Sequence, residues 1–440
     1  MRQRFRVSRG ACADNCAQRL SLYFHFRNAS TVASASPSFP MTATERRASF
    51  SLASIFALRM LGLFLVLPVF ALEAARYPGG DDPALVGLAM GIYGLTQALL
   101  QIPFGLASDR LGRKRVIVAG LLVFALGSFL AAAAPDLNWL LAGRALQGAG
   151  AISAAVTALL ADQTRDEVRT KAMALVGGSI GLMFAVSLVL APALNARIGL
   201  SGLFVLTGVL ALAGIAMVLW MVPPEPLLHK DMARGGVADV LRRGDMLGLN
   251  FGVFVLHAVQ LSMWVAVPAL LVQAGLLKAL HWQVYLPAVL ASFVVMGGTL
   301  FPLERRGHLR AVLLAAIALL ALVQLGFLGV AMAAGGAAPS LTVLGGLLLL
   351  FFCSFNVLEA SQPSMVSRLA HASNRGAALG LYNTSQSLGL FAGGALGGAM
   401  LKWGGAQGLF VSTASLSLLW LAVAWRMMPV QHPAARKARA

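Results

Sequence analysis

Residues 83–108, PALVGLAMGIYGLTQALLQIPFGLAS, decide the fold, because these 26 consecutive positions include no Asp, Glu, Lys or Arg. Three other runs of at least 20 residues, 116–135, 172–196 and 198–224, are equally free of charge. A helix of about 20 apolar residues is long enough to cross roughly 30 Å of hydrocarbon. The runs therefore predict an all-α polytopic membrane protein, and they exclude a soluble enzyme, a β-barrel and a disordered chain.

The composition supports the same fold class. Of the 440 residues, 58% are hydrophobic and 11% are charged, whereas an ordinary soluble domain is about 25% charged. The net charge of +18 comes from Lys and Arg at the ends of apolar runs, so we predict a lipid bilayer and no nucleic acid as partner. The three cysteines lack the spacing of metal ligands or of a disulfide framework, and we predict no metal and no cofactor.

We predict twelve transmembrane spans. The uncharged run of residues 311–358 is too long for one helix, and Gly335, Gly336 and Pro339 supply the turn that divides it. The longest polar connection, 223–246, separates two sets of six spans. The spans are predicted near residues 50–73, 84–108, 115–135, 138–161, 171–194, 201–222, 247–272, 283–303, 309–332, 341–363, 376–400 and 405–427.

Positive residues indicate the orientation, because cytoplasmic connections are enriched in Lys and Arg. From residue 41 on, 22 Lys and Arg fall on the side of the two termini, and four fall on the opposite side: Arg76, Arg197, Lys278 and Lys402. We therefore predict a multi-pass protein of the cell inner (plasma) membrane with both termini in the cytoplasm.

The chain is predicted to hold two similar membrane units. Residues 169–175, RTKAMAL, resemble residues 375–381, RGAALGL, at the start of spans five and eleven. Such a repeat predicts a pseudo-two-fold axis along the membrane normal, with substrate bound at the midplane between the halves. For residues 1–40, which hold six Arg, we expect a mis-assigned start upstream of Met41, the alternatives being a disordered basic arm and a targeting peptide. The other predicted boundaries are an N-terminal six-helix bundle at 41–222, a cytoplasmic linker at 223–246, a C-terminal six-helix bundle at 247–427 and a basic cytoplasmic tail at 428–440.

The loop after span two, GLASDRLGRK at residues 105–114, concentrates one acid and three bases in a short turn. Asp109 is suited to face the positive N-terminus of span eleven, and Arg113 to pair with Asp162 at the end of span four. The alternative is a loop that only anchors the positive side of the protein. The predicted conformational switch consists of Gly105, Asp109, Arg110, Gly112, Arg113, Lys114 and Asp162.

Four ionisable side chains within the spans are candidates for proton coupling, because such groups are costly in hydrocarbon and are usually functional. Glu359 is the only carboxylate deep within a predicted span, and burial favours the protonated form of a carboxyl group. His257 is a residue type that titrates near physiological pH, Arg144 is a fixed charge that can tune a nearby acid, and Arg59 can extend to the cytoplasmic surface. The alternative for each is a structural, hydrogen-bonded role.

The wall of a central cavity is expected to be mostly apolar with a few polar anchors. Each candidate anchor is equally suited to an interhelical hydrogen bond. The candidates for contact with a small-molecule substrate are Tyr93, Gln97, Gln101, Gln147, Gln260, Trp264, Asn356, Tyr382, Asn383 and Gln386.

Three motifs resemble the major facilitator superfamily and its drug:proton antiporter branch. They are the loop at 105–114, GRALQGAG at residues 143–150, and RMLG at residues 59–62 with Pro68. The resemblance covers residues 41 to about 427. It implies twelve helices in two six-helix bundles, alternating access, and a role of Arg144 in proton transfer.

Within that branch, the chain is similar to the YajR-like inner-membrane proteins. Residues 91–114, 250–257 and 355–360 carry this similarity. Span five departs from the antiporter motif, since Ala193 and Leu194 follow Pro192 where the motif has two glycines.

Together these features predict a proton-coupled secondary transporter, a monomer that exports small hydrophobic or amphipathic compounds by alternating access. The departure in span five leaves a proton symporter or a uniporter of a small metabolite as the alternative. A membrane enzyme is disfavoured, since the sequence has no His-Glu-x-x-His motif and no cluster with the spacing of metal ligands. A primary pump is disfavoured, since no phosphate-binding loop for ATP is present.

Overall fold

The computed structural model describes residues 40–225, 240, 242–306, 308–333, 338–370 and 375–427. Most of the predicted leader, the middle of the linker and the predicted tail lie outside the described residues, as do Gly335 and Gly336 of the predicted turn. In chain order the helices are α1 (Ala43–Ala74), α2 (Pro83–Leu111), α3 (Arg113–Ala132), α4 (Leu137–Ala149), α5 (Ser153–Asp162), α6 (Asp166–Trp220), α7 (Gly244–Gln273), α8 (Trp282–Arg305), α9 (Leu309–Ala333), α10 (Leu341–Leu369) and α11 (Arg375–Arg426), with a short 3-10 helix at Lys278–Leu280 before α8.

Ten candidate membrane spans occur among the described residues, with α4 and α5 counted as one. Two of the ten, α6 with 55 residues and α11 with 52, are interrupted by a glycine. Gly199 (φ 66°) and Gly405 (φ 59°) adopt a backbone conformation that is open to glycine and strained for other residues. Each of these helices is therefore two spans joined by a tight bend, which is consistent with twelve spans and confirms the all-α fold class.

Span four is broken, whereas a continuous helix was expected over residues 138–161. Helix α4 ends at Ala149 and α5 begins at Ser153, with residues 150–152 non-helical between them. Gly148 and Gly150 flank the last helical residue and weaken this end of the helix. At Gly150, an added β-carbon would lie 2.4 Å from the Gly120 carbonyl oxygen, so the close approach of α3 also requires glycine there.

Local signals explain where several helices begin. Thr42 caps α1 in a capping box with Glu45, which satisfies two backbone donors at once. Asp82 caps α2, and Pro83 occupies its first turn, where the missing N–H of proline costs nothing. Asp136 caps α4 through the Trp139 amide.

The most extensive helix contacts are those of α1 with α6, of α7 with α11 and of α2 with α11. Aromatic rings meet between the two predicted halves. The ring of Phe184 (α6) lies 5.1 Å from that of Phe64 (α1), 6.4 Å from that of Trp264 (α7) and 6.1 Å from that of Phe352 (α10), all edge to face. This geometry is favourable for aromatic quadrupoles, and the contacts of Phe184 with Trp264 and Phe352 join the two halves.

Among the described residues, helices α2 and α11 touch closely at one end. An added β-carbon at Gly87 would lie 2.3 Å from the Gly394 carbonyl oxygen, and one at Gly94 would lie 2.4 Å from that of Ser387. At the opposite end of α11, a β-carbon at Gly376 would meet nothing within 4 Å. The two helices therefore separate toward the side that the positive residues predict to be cytoplasmic.

Two ion pairs join the halves at the closed end, which we call the outer end. Lys402 Nζ lies 2.8 Å from Asp82 Oδ2, and Lys278 Nζ lies 3.3 Å from Glu73 Oε1. In both pairs the acid belongs to the first half and the lysine to the second. The structure is thus a state closed at the outer end.

Candidate functional site

The loop between α2 and α3 is a one-residue turn. Helix α2 ends at Leu111, α3 begins at Arg113, and Gly112 between them has φ 99°, a value that favours glycine. Arg110 is exposed, and Gly105 lies beside α5, since its added β-carbon would be 3.5 Å from that of Ala154.

Arg113 organises the charged groups of this turn. It is 4% exposed, and its Nε lies 3.1 Å from Asp162 Oδ2 at the end of α5. Its Nη1 donates to Ser108 Oγ at 2.7 Å and pairs with Asp109. The structure thus places Asp109 against Arg113 of its own turn. The expected contact of Asp109 with the start of span eleven stays a prediction, since residues 371–374 lie outside the described residues.

Glu225, which the sequence analysis did not single out, supplies the missing cap of α3. Its carboxylate accepts from the backbone N–H of Arg113 at 3.0 Å and of Lys114 at 2.6 Å. Lys114 Nζ in turn donates to the Val222 carbonyl at 2.7 Å. A carboxylate is favourable at a helix N-terminus, so the start of the linker is fixed to the switch loop. The available signal was an acid directly after span six.

Glu359, His257 and Gln386 come together from α10, α7 and α11. His257 Nε2 lies 3.5 Å from Glu359 Oε2 and 2.7 Å from Gln386 Nε2, and Gln386 Nε2 lies 3.4 Å from Glu359 Oε1. His257 is 3% exposed, but the side chain of Glu359 is 37% exposed. The expected burial of this acid is therefore partial in this state: Oε2, which faces His257, is buried without a hydrogen-bond partner, whereas part of the side chain is exposed.

Arg144 is held by backbone carbonyls and rings. Its Nη2 donates to the Met90 carbonyl at 3.2 Å, and its Nη1 donates to Gln147 Oε1 at 3.0 Å. Its guanidinium lies 5.2 Å from the ring centre of Tyr93 and 5.8 Å from that of Phe70. No carboxylate of the described residues forms an ion pair with it, so the acid that it was expected to tune is not beside it here.

Arg59 does not reach the cytoplasmic surface, which was one of the two positions considered for it. It is 1% exposed, because neighbouring helices offer it acceptors inside the protein. Nη2 donates to Tyr93 Oη at 2.7 Å and to Gln97 Oε1 at 3.4 Å, and Nη1 donates to Ser153 Oγ at 3.3 Å. Its guanidinium also lies 5.4 Å from the ring centre of Phe124.

The predicted cavity residues divide into two groups by exposure. Gln97, Gln260, Asn383 and Gln386 are half-buried, as an accessible cavity wall requires. The other six are buried and do not line open space in this state, because helix packing covers them; for example, Asn356 donates to Ser292 Oγ at 2.7 Å. These six are Tyr93, Gln101, Gln147, Trp264, Asn356 and Tyr382.

Gln97 also connects the halves. Its Nε2 donates at 3.1 Å to the Oγ of Ser387 on α11, a residue that sequence reasoning missed because an isolated serine in an apolar span gives no signal. Elsewhere in the described part of the chain, no three His, Cys, Asp or Glu side chains come together as a metal site requires.

Comparison with known proteins agrees with this architecture. A model of the Major Facilitator Superfamily matches residues 52–364 and 303–440. The chain is 42% identical over 393 residues to the inner membrane transport protein YajR of Escherichia coli (strain K12), an alignment that covers 88% of this chain and 85% of that protein.

Two further matches are more distant. The chain is 26% identical over 380 residues to the multidrug resistance protein MdtH of Aeromonas salmonicida (strain A449), covering 83% of this chain and 91% of that protein. The crystal structure of the human organic anion transporter MFSD10 (TETRAN) matches with a TM-score of 0.64 and 20% identity, covering 87% of this chain and 100% of that one, and this likeness shows the fold alone. With a family model along most of its length and a relative at 42% identity, the chain belongs to the Major Facilitator Superfamily.

Proposed function

We propose that this transporter exchanges protons for small hydrophobic or amphipathic compounds, which it exports across the inner membrane by alternating access. Family membership makes the chain a membrane transporter and not an enzyme. The names of two relatives, an inner membrane transport protein and a multidrug resistance protein, support the location and the direction of transport.

The contact of His257 with Glu359 carries the proposal. His257 Nδ1 lies 3.0 Å from the Val253 carbonyl oxygen, which only accepts hydrogen bonds, so Nδ1 carries the proton of the neutral ring. Nε2 is then an acceptor for the Gln386 amide. A proton that reaches the partly exposed Glu359 side chain has this nitrogen 3.5 Å from the buried Oε2.

Protonation of His257 changes the contact with α11. Once Nε2 carries a proton, it and the Gln386 amide N–H are both donors, so their 2.7 Å contact must break or the amide must rotate. The next residue, Ser387, accepts the hydrogen bond from Gln97 of the other half. The proton site is thus adjacent in sequence to a bond that joins the halves, which supports coupling between protonation and alternating access.

The test measures proton movement in proteoliposomes with a trapped pH-sensitive dye. Three probes that share one ring system are added in turn: dansyl acid (an anion), dansyl amide (neutral) and dansyl cadaverine (a cation). We expect at least one probe to drive protons in the opposite direction, and Glu359→Gln to reduce that proton flux at least tenfold while probe-for-probe exchange continues.

Glu304→Gln is the matched control, because Glu304 lies at the end of α8 and pairs with Arg368, away from the proton site. It should leave proton flux unchanged. Undiminished proton flux in Glu359→Gln would contradict the assigned role of Glu359. Protons moving with the probe would indicate symport, and transport without proton movement would indicate a uniporter; either result would replace the proposed exchange.

We also propose that the protein acts as a monomer with both termini in the cytoplasm. The excess of positive residues on one side supports this orientation. Reporter fusions at the two termini should both give the cytoplasmic signal, and signals from opposite faces of the membrane would contradict the arrangement.

A further inference from the structure

We propose that Arg59, at the break in span four, binds the carboxylate or sulfonate group of the transported compound, so that the preferred substrates are amphipathic organic anions. This inference rests on the proposed function and names its substrate class. It is argued from two buried arginines of the first half, Arg59 and Arg144, and from the N-terminus of α5, which lies beside Arg59.

Two buried guanidinium groups lie in the first half without a carboxylate partner. Arg59 and Arg144 are 1% and 2% exposed, and neither forms an ion pair with any described residue. They share Tyr93, whose hydroxyl accepts from Arg59 and whose ring faces Arg144. Buried charges are costly unless paired, and two like charges on one neutral partner repel, so an anion beside them would be stabilised.

The two arginines differ in the hydrogen-bond acceptors that the protein offers their guanidinium groups. Arg144 donates to the carbonyls of Ala89 and Met90 and to Gln147. Arg59 has only neutral side-chain acceptors, and its Nε is buried without a hydrogen-bond partner. A carboxylate or sulfonate, which accepts two parallel bonds from a guanidinium, is the ligand that Arg59 lacks.

The start of α5 lies beside the same guanidinium. Arg59 Nη1 is 3.3 Å from the Oγ of Ser153, the first residue of this ten-residue helix. Ile152 at the N-cap provides no side-chain cap. The first N–H groups of an uncapped helix carry partial positive charge and bind anions, and transporters use broken spans in this way.

The site borders accessible space and the other half. Gln97 and Ser153 are half-buried, so a ligand group can approach from their side. Gln97 accepts from Arg59 and donates to Ser387 of α11. An anion on Arg59 competes for the first of these bonds, so its binding acts directly on a contact between the halves.

Probe binding to the full chain in nanodiscs of zwitterionic lipid tests the inference; empty nanodiscs give the background, and no anionic headgroup is present. We expect dansyl acid to bind at least about tenfold more tightly than dansyl amide, the scale of a charge-assisted hydrogen bond. Arg59→Gln should remove this preference, and Arg59→Lys, which keeps the charge, should retain part of it. Arg197→Gln, which removes an exposed arginine at the outer end, is the matched control and should retain all of it.

Three outcomes would overturn the inference: equal binding of dansyl acid and dansyl amide by the wild type, no binding of dansyl acid, or a preference that Arg59→Gln leaves unchanged. If Arg59→Gln does not elute as a folded protein, the preference for dansyl acid over dansyl amide is compared between the wild type and Arg59→Lys, and an equal preference in the two would overturn the inference. Proton exchange with dansyl cadaverine and no anion preference would reject this inference and leave the proposed function standing. An anion preference without proton exchange would reject the proposed function alone.

Discussion

Gly394→Ala is expected to open the outer end of the transporter. The added β-carbon would lie 2.5 Å from the Gly87 carbonyl oxygen and 2.7 Å from Gly91 Cα, whereas ordinary contacts begin near 3.4 Å. Backbone atoms cannot rotate away as a side chain does. Helices α2 and α11 must therefore separate by about 0.9 Å, the difference between 3.4 and 2.5 Å.

The size of the effect follows from the cost of overpacking. An extra carbon in a well-packed contact costs about 1–3 kcal/mol. Only the state closed at the outer end contains this contact, so the free energy of that state alone rises. The ratio of outer-closed to outer-open molecules should fall by about 5- to 150-fold.

Pulsed electron paramagnetic resonance between spin labels at Asp81→Cys and Gly404→Cys measures the change, in a background without native cysteines. These positions flank the Asp82–Lys402 ion pair, and Gly394→Ala should shift the label distances to longer values. Gly346→Ala is the matched control, because its β-carbon meets nothing within 4 Å. A distribution for Gly394→Ala that matches both the control and the unsubstituted protein would refute the reasoning.

Two further predictions concern charged groups. Arg113→Ala should lower the thermal unfolding temperature by several degrees, since it removes the cation that Asp109 and Asp162 share. In scanning fluorimetry, Arg113→Lys should restore part of this loss. An unchanged unfolding temperature in Arg113→Ala would contradict the prediction. The hydrogen bond from Lys402 lowers the pKa of Asp82. The pair therefore stabilises the closed outer end at any pH above the ordinary Asp pKa of about 4, and this stabilisation is lost only as the pH falls through the lower pKa of Asp82 in the folded protein. Outer label distances should therefore agree at about pH 8 and 5, and a lengthening already at about pH 5 would count against the pair.

The sequence by itself determined the membrane fold, because the length of an uncharged run is a local property fixed by the thickness of hydrocarbon. Residues 83–108 and the other runs predicted helices that the structure contains. Gly112 lies in a short turn between two apolar runs, so the residues next to it in the sequence were enough to predict the bend there. The bends at Gly199 and Gly405 separate spans that hydropathy had already separated.

Only the tertiary structure decided which polar groups meet. Arg59 bonds to Ser153, 94 residues away, and Gln97 bonds to Ser387, 290 residues away. Such contacts depend on how helices rotate and cross, which hydropathy does not encode, so the sequence left the position of Arg59 open and did not show that only part of the Glu359 side chain is buried. The break in span four required the same information, because the sequence does not show that the backbone of α3 lies against Gly150.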